Sequence, residues 1–398
     1  MLAYLAVFAA AAATSALATP LVRAIATRVG AIDRPSDRKV HPKPTPTLGG
    51  LAIFLGFLVA MGVAYLIPAF RDNVFRVSSE PLGALLAGGV IVAVGTFDDV
   101  RSVSVPAKVA GQVLAAGVMI LAGIQLVFFW FPTQGVLSLG PDLGVPLTVI
   151  WILVMVNAVN LIDGLDGLAA GVVAIAAIAF FSFAFGSERA LGGPTTASML
   201  SAIAAGAAIG FLPWNFHPAK IFMGDSGSML LGVIMAAATI SGVGRTVQAP
   251  PETDLAALAI PIIVPAMVLA VPIIDVAFAV LRRMRRGRAV THADKEHIHH
   301  RLLEIGHTHR EAVLLIYFWS AILAGAAIAI TFVTSRATAV ALLAAALAVF
   351  LATLIPRLRT GNGIGYRHRT GRTTPPGAAS PATPPPVPPP APEGLPRS

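Results

Sequence analysis

Between Asn157 and Ala169 the chain reads Asn-Ala-Val-Asn-Leu-Ile-Asp-Gly-Leu-Asp-Gly-Leu-Ala. Two carboxylates, Asp163 and Asp166, and two amides, Asn157 and Asn160, stand between long apolar runs. Carboxylates are costly beside a bilayer core, so ionisable groups there mark a function. On a helix Asn160, Asp163 and Asp166 step by three and share one broad face. Gly164 and Gly167 remove neighbouring side chains and let a ligand approach the backbone. The plainer alternative is a polar helix end capping a span, since Asn and Asp favour caps. Four further polar clusters weigh against it.

The first cluster runs from Asp33 to Gly50 and contains Arg38-Lys39-Val40-His41-Pro42-Lys43-Pro44-Thr45-Pro46-Thr47-Leu48-Gly49-Gly50. Its prolines exclude a helix over Pro42 to Pro46. Basic side chains followed by free N–H groups at a helix start suit phosphate. Ordinary cytoplasmic charge would explain the Arg and Lys, but not the Pro-Thr-Pro-Thr-Leu-Gly-Gly ending. The second cluster is Asp98-Asp99 at the end of an apolar run, with Lys108 near the next one. Adjacent carboxylates repel unless a cation or proton lies beside them. Mg²⁺, held by one or two carboxylates plus substrate phosphates, fits.

In Trp214 to Ser228, Asp225 sits between Gly224 and Ser226, open enough to ligate a metal. Phe222 offers a ring to a nucleobase, with plain packing as its alternative. In His292 to Arg301, a helix would align His297, His300 and Arg301 on one face. Zinc competes for these histidines. With no cysteine in the chain and cationic neighbours, donors to a pyrophosphate fit better.

These clusters need elements that bring them together. The chain is 56% hydrophobic and only 12% charged, where a soluble domain carries roughly 25% charged residues. Its mean hydropathy is +0.80. We expect an all-α polytopic membrane protein. Eleven apolar segments approach spanning length, near 2–22, 48–70, 82–97, 107–129, 143–160, 168–186, 194–213, 227–244, 255–280, 312–334 and 337–356. The first lacks a basic n-region, so it reads as a retained span. With the N-terminus outside and the C-terminus cytoplasmic, 23 of the 28 Lys and Arg face the cytoplasm, a strong positive-inside signal. All nine histidines and all five clusters then fall on that side. Their convergence predicts one active site formed by cytoplasmic loops. Residues 1–356 form the membrane domain, and 357–398 a basic, then Pro-rich, disordered tail. The arginines from Arg357 to Arg372 are placed to meet anionic headgroups.

Together the five motifs resemble the polyprenyl-phosphate N-acetylhexosamine-1-phosphate transferases, over roughly residues 1–355. This family loads GlcNAc-1-phosphate onto undecaprenyl or decaprenyl phosphate. It also includes the translocase that loads phospho-MurNAc-pentapeptide. The resemblance implies that a UDP-sugar and polyprenyl phosphate give polyprenyl-pyrophosphate-sugar and UMP, with Mg²⁺ as cofactor and Mn²⁺ able to substitute. It implies catalytic roles for Asp98, Asp99, Asp166, His297, His299 and His300. Asn160, Asp163 and Asp166 would line the nucleotide-sugar site, and Phe222 would stack on uracil. Lys43, Thr47, Lys108 and Arg301 would add substrate contacts. The metal ligands would be Asp225 and Asp99. The expected partners are UDP-GlcNAc, polyprenyl phosphate and the bilayer of a bacterial plasma membrane. Homodimerisation is left open, and no nucleic acid is expected.

Phosphoryl transfer asks for charge neutralisation and in-line positioning more than for covalent help. Asp98 either deprotonates residual monoanionic acceptor or holds metal, and a phospho-Asp route is the alternative. His297-Ile298-His299-His300-Arg301 and the Asp33-Arg34-Pro35 loop match the GlcNAc branch, so UDP-GlcNAc is the expected donor, with phospho-MurNAc-pentapeptide as its rival. An anionic-solute transporter is the other class. Its site would lie near the midplane, where only Asp275 sits well inside an expected span.

Overall fold

The computed structural model describes residues 1–35, 43–131, 135–243, 302–303, 306–331, 338, 341–342 and 344–350. His297, His299, His300 and Arg301, the segment 255–280, most of 337–356, the boundary at 356 and the tail lie outside the described residues.

Among the described residues the helices include α1 (Leu2–Val29), α2 (Gly49–Leu66), α3 (Pro68–Phe70), α4 (Glu80–Arg101) and α5 (Val105–Leu121). They continue with α6 (Pro141–Ile162), α7 (Leu168–Leu191), α8 (Thr196–Asn215), α9 (Gly224–Val243) and α10 (His309–Thr331). Strands β1 (Ile32–Asp33) and β2 (Thr45–Pro46) pair antiparallel, as do β3 (Phe128–Phe131) and β4 (Gly135–Ser138).

Eight described helices are long and apolar enough to cross a bilayer. Their outer faces carry bare leucines: Leu17 is 79% exposed, Leu66 74% and Leu143 62%. Apolar surface on that scale belongs in lipid rather than water. The chain is an all-α, multi-pass membrane protein.

Helix α1 buries one stripe, Tyr4, Val7, Ala11, Ser15, Thr19, Val22 and Ala26, at the spacing of a single helical face. It packs on α2 and α8. Small residues let the backbones close in. A Cβ on Gly210 would lie 2.1 Å from the Ala12 carbonyl oxygen, and one on Gly206 2.3 Å from that of Phe8. Glycine and alanine at such contacts replace the hydrophobic drive that lipid does not supply. Helix α8 also packs on α7 and α9, and α9 on α4 and α6. At the start of α8, Thr195 and Ser198 form a capping box. The Tyr4 hydroxyl and Ser198 hydroxyl both donate to the buried Glu188 carboxylate, tying α1, α7 and α8 at that end.

One sequence expectation is corrected. The segment 107–129 is not one span: α5 stops at Leu121, where Gly123 takes a left-handed turn (φ 89), and the aromatic run 128–131 enters the β3–β4 ribbon instead. The stretch Asn157–Ala169 is divided between two helices, as the expected spans 143–160 and 168–186 require. Helix α6 ends at Ile162, and α7 begins at Leu168 behind Gly167 at φ 80. Glycine is a poor helix interior residue and a ready left-handed one, so Gly164 and Gly167 end one helix before the next begins.

Candidate active site

The C-terminal ends of α1, α4, α6 and α8 meet the N-terminal ends of α2, α7, α9 and α10 around one cavity of about 600 Å³. Asp33, Asp98, Asp99, Asp163, Asp166 and Asp225 all line it, with Thr47, Asn160, Phe222 and His309. Six carboxylates in one cavity repel one another unless cations join them.

Lys108, from the first turn of α5, is one such cation. Its ammonium lies 2.9 Å from Asp98 Oδ2 and also donates to Asp225 Oδ2. Asp98 Oδ1 accepts from the Val103 N–H at 2.6 Å, closing the α4–α5 turn. Asn160 donates to Asp225 Oδ1 at 3.0 Å and to Ser228 at 2.9 Å, fixing the α6 end against the α9 start.

Asp99 does different work from its neighbour. Its Oδ1 accepts from the Asp225 N–H at 2.8 Å, and its Oδ2 from the Ser226 hydroxyl at 2.7 Å and N–H at 3.3 Å. These are free donors of a helix N-terminus, where a carboxylate is favoured. Asp99 therefore anchors α9 and aims Asp225. Gly224 is required there: it takes φ +70, and a Cβ would meet Asp99 Oδ2 at 2.4 Å and Thr47 Oγ1 at 2.6 Å.

The proline-rich loop is laced onto the same helix start. Phe222 N–H donates to the Pro46 carbonyl at 2.8 Å, Gly49 N–H to that of Phe222 at 3.0 Å, and Gly50 N–H to that of Met223 at 2.9 Å. This ladder holds Thr47 and Phe222 beside each other on the cavity wall. Lys43 is exposed and is not among the cavity-lining residues.

Asp163 differs from the other acids. Among the described residues no hydrogen bond to its carboxylate is formed. Burial, and then the charges of Asp225, Asp99 and Asp166, push its pKa up to about 8. A carboxylate crowded by three others and left unbonded is suited to a cation. The donor set is all oxygen apart from Lys108 and the histidines, so it fits a hard divalent ion better than zinc.

Asn157 turns away from the cavity, bonding Gln112 at 2.8 Å between α6 and α5. Two features go beyond the sequence reading. Asn215 caps the turn after Asp166 by accepting from Gly167 N–H at 3.1 Å, and donates to the Ile221 carbonyl at 3.1 Å. His217 and His309 gather beside Asp166. Asn215 and His217 stand in a motif that sequence reading singled out for Phe222 and Asp225 alone. His309, 92 residues after His217, carries no local signal.

The model of glycosyl transferase family 4 matches residues 81–243, the stretch that holds Asp98, Asp163, Asp166 and Asp225. The chain is 42% identical over 351 residues to the decaprenyl-phosphate N-acetylglucosaminephosphotransferase of Mycobacterium tuberculosis, covering 87% of each chain. It is 41% identical to the Mycobacterium leprae protein of the same name, over 86% of this chain and 87% of that one. It is 30% identical to the undecaprenyl-phosphate alpha-N-acetylglucosaminyl 1-phosphate transferase of Salmonella typhi, over 77% and 78%.

Proposed function

The chain belongs to the polyprenyl-phosphate N-acetylhexosamine-1-phosphate transferases of glycosyl transferase family 4, and on that premise we propose that it moves GlcNAc-1-phosphate from UDP-GlcNAc to a polyprenyl phosphate, releasing UMP. The reaction takes place in a bacterial plasma membrane and starts a lipid-linked glycan. The observation that carries this reading is the single cavity in which the acids of α4, α9 and the α6–α7 turn face Phe222.

The proposed roles follow from position. Asp225 would hold Mg²⁺, with Asp163 facing the same space. Asp99 would add at most the remaining lone pair of Oδ1, since its other acceptor sites hold α9. When bound, the ion would neutralise the phosphate oxygens on which negative charge is concentrated. Phe222 presents a ring to the uracil. Asp166 and Asn160 fix the donor's orientation. Asp98, held by Lys108, is the group that keeps the acceptor phosphate deprotonated or takes its residual proton. A phosphate monoester loses its second proton near pH ~6, so this help matters most below neutrality. His297, His299, His300 and Arg301 would supply the donors for the pyrophosphate.

The test uses purified protein, Mg²⁺, polyprenyl phosphate and each labelled UDP-sugar in turn. Lipid-linked product and UMP from UDP-GlcNAc, with none from UDP-MurNAc-pentapeptide, is the expected result. The reverse pattern overturns the donor assignment, and product from neither overturns the transferase reading.

A further inference from the structure

Asp166 is gripped from two elements that sequence places far apart. His217 Nδ1 lies 2.7 Å from Asp166 Oδ2, and the Ala219 N–H donates to that same oxygen at 3.0 Å. His309, the first residue of α10, stacks its ring on His217 with centroids 4.2 Å apart and planes 18° from parallel. Its neighbour Arg310 donates twice to the His217 carbonyl, at 3.3 and 3.1 Å. Farther along α10 the Tyr317 hydroxyl donates to the carbonyl of Gly167, the residue after Asp166. Helix α10 thus holds both the loop that carries Asp166 and the loop that bonds it.

One explanation for the cluster is a metal site, because ligand atoms of Asp166, His217 and His309 lie within 4.8 Å of one another. The ring geometry argues against it. An ion must sit roughly 2 Å from each imidazole nitrogen and near its ring plane. Between two stacked, nearly parallel rings such a point lies outside both planes. Nor does His309 serve as a hydrogen-bond anchor through Nε2, which is buried with no partner among the described residues. His309 offers a flat face against His217 at the wall of the cavity, and a ring nitrogen also reaches the Asp166 backbone.

We propose that His309 is a positioning residue of the donor site: its ring fixes the plane of His217, and His217 fixes the Asp166 carboxylate toward the nucleotide. The proposal rests on the transferase reading, in which Asp166 faces the UDP-sugar. It assigns the positioning to the face of the ring rather than to the contact that a ring nitrogen makes with the Asp166 backbone.

The experiment measures UMP binding to the purified full-length chain by calorimetry, with thermal stability recorded for every variant. His309→Leu keeps the bulk and loses the flat ring. His309→Phe keeps the ring and loses both nitrogens. We expect His309→Leu to weaken UMP binding roughly threefold to tenfold, the range an aromatic contact supplies, and His309→Phe to stay within about twofold of wild type by the same criterion. In an Asp166→Asn background the His309→Leu effect should vanish, because a residue acting through another is silent once that other is removed. Equal losses in both backgrounds, equal losses for Leu and Phe, or no loss for Leu would each overturn the positioning role. Wild-type protein that binds no UMP would instead refute the transferase reading beneath it.

Discussion

Asp163 shows how a site residue can work against the stability of its own fold. Its pKa in the folded chain, about 8, lies above the ordinary carboxylate value of roughly 4. The folded state therefore holds this proton more tightly than the unfolded one. Stability is greatest when the group is protonated in both states, and it falls as pH rises from about 4 through about 8. Asp163→Asn removes that dependence. In EDTA, the variant should melt several degrees above wild type at pH 8.5 and close to it at pH 5. A variant that melts below wild type at pH 8.5 would show that the carboxylate is stabilised there after all. That Asp163 would line a polar cavity is legible from sequence, since an acid between apolar runs marks a site. Its isolation is not, because that depends on where Asp99 and Asp225 fall after folding. The different duties of Asp98 and Asp99 are hidden for the same reason. Adjacent in sequence, one pairs with Lys108 and the other caps α9.

At the scale of elements, glycines decide how closely the site helices approach. A Cβ on Gly95 of α4 would stand 2.4 Å from Ser226 Cα, and one on Gly50 of α2 would stand 2.2 Å from Gly227 N. Both obstacles are backbone, which cannot swing aside. Gly95→Ala must push the start of α9 away from α4 and carry Asp225 with it. We expect a loss of about 1–3 kcal/mol in stability, as for overpacked cores, and transferase activity below a tenth of wild type. Gly62, also in α2, has nothing within 4 Å of its would-be Cβ. Gly62→Ala should leave both properties within about twofold of wild type, or slightly stabilise the helix. Thermal melts and initial rates on the two purified variants check this contrast, and equal damage from both would remove the packing explanation. The spans themselves were readable from hydropathy. The break between α6 and α7 is readable too, because the apolar runs 143–160 and 168–186 stop on either side of Gly164 and Gly167; the stop of α5 at Leu121 is not, because the apolar run continues past it. Asp163 and Asp166 still reach one cavity because the turn, rather than a helical face, presents them.

For the whole molecule, alternation of the helices sends the two ends of α4 to opposite poles. Arg101 ends α4 beside Asp98 and Asp99, while Arg76 precedes its start at Glu80. Both arginines are exposed, and the chain has no cysteine. A single cysteine at Arg76 should therefore react with a membrane-impermeant maleimide in intact cells, and one at Arg101 only after lysis. Labelling at Arg101 in intact cells would put the cavity on the outer side and break the link to cytoplasmic nucleotide sugars. The count of Lys and Arg predicts this sidedness, and the structure independently gathers the ends of eight helices around one polar cavity. The most direct test of the central claim follows the phosphorus. Purified protein is given polyprenyl phosphate, Mg²⁺ and UDP-GlcNAc radiolabelled in its β-phosphate. Label recovered in the lipid product, with unlabelled UMP released in equal amount, is the predicted result. Label remaining on released UDP would mean that the sugar alone is transferred, and would contradict the account.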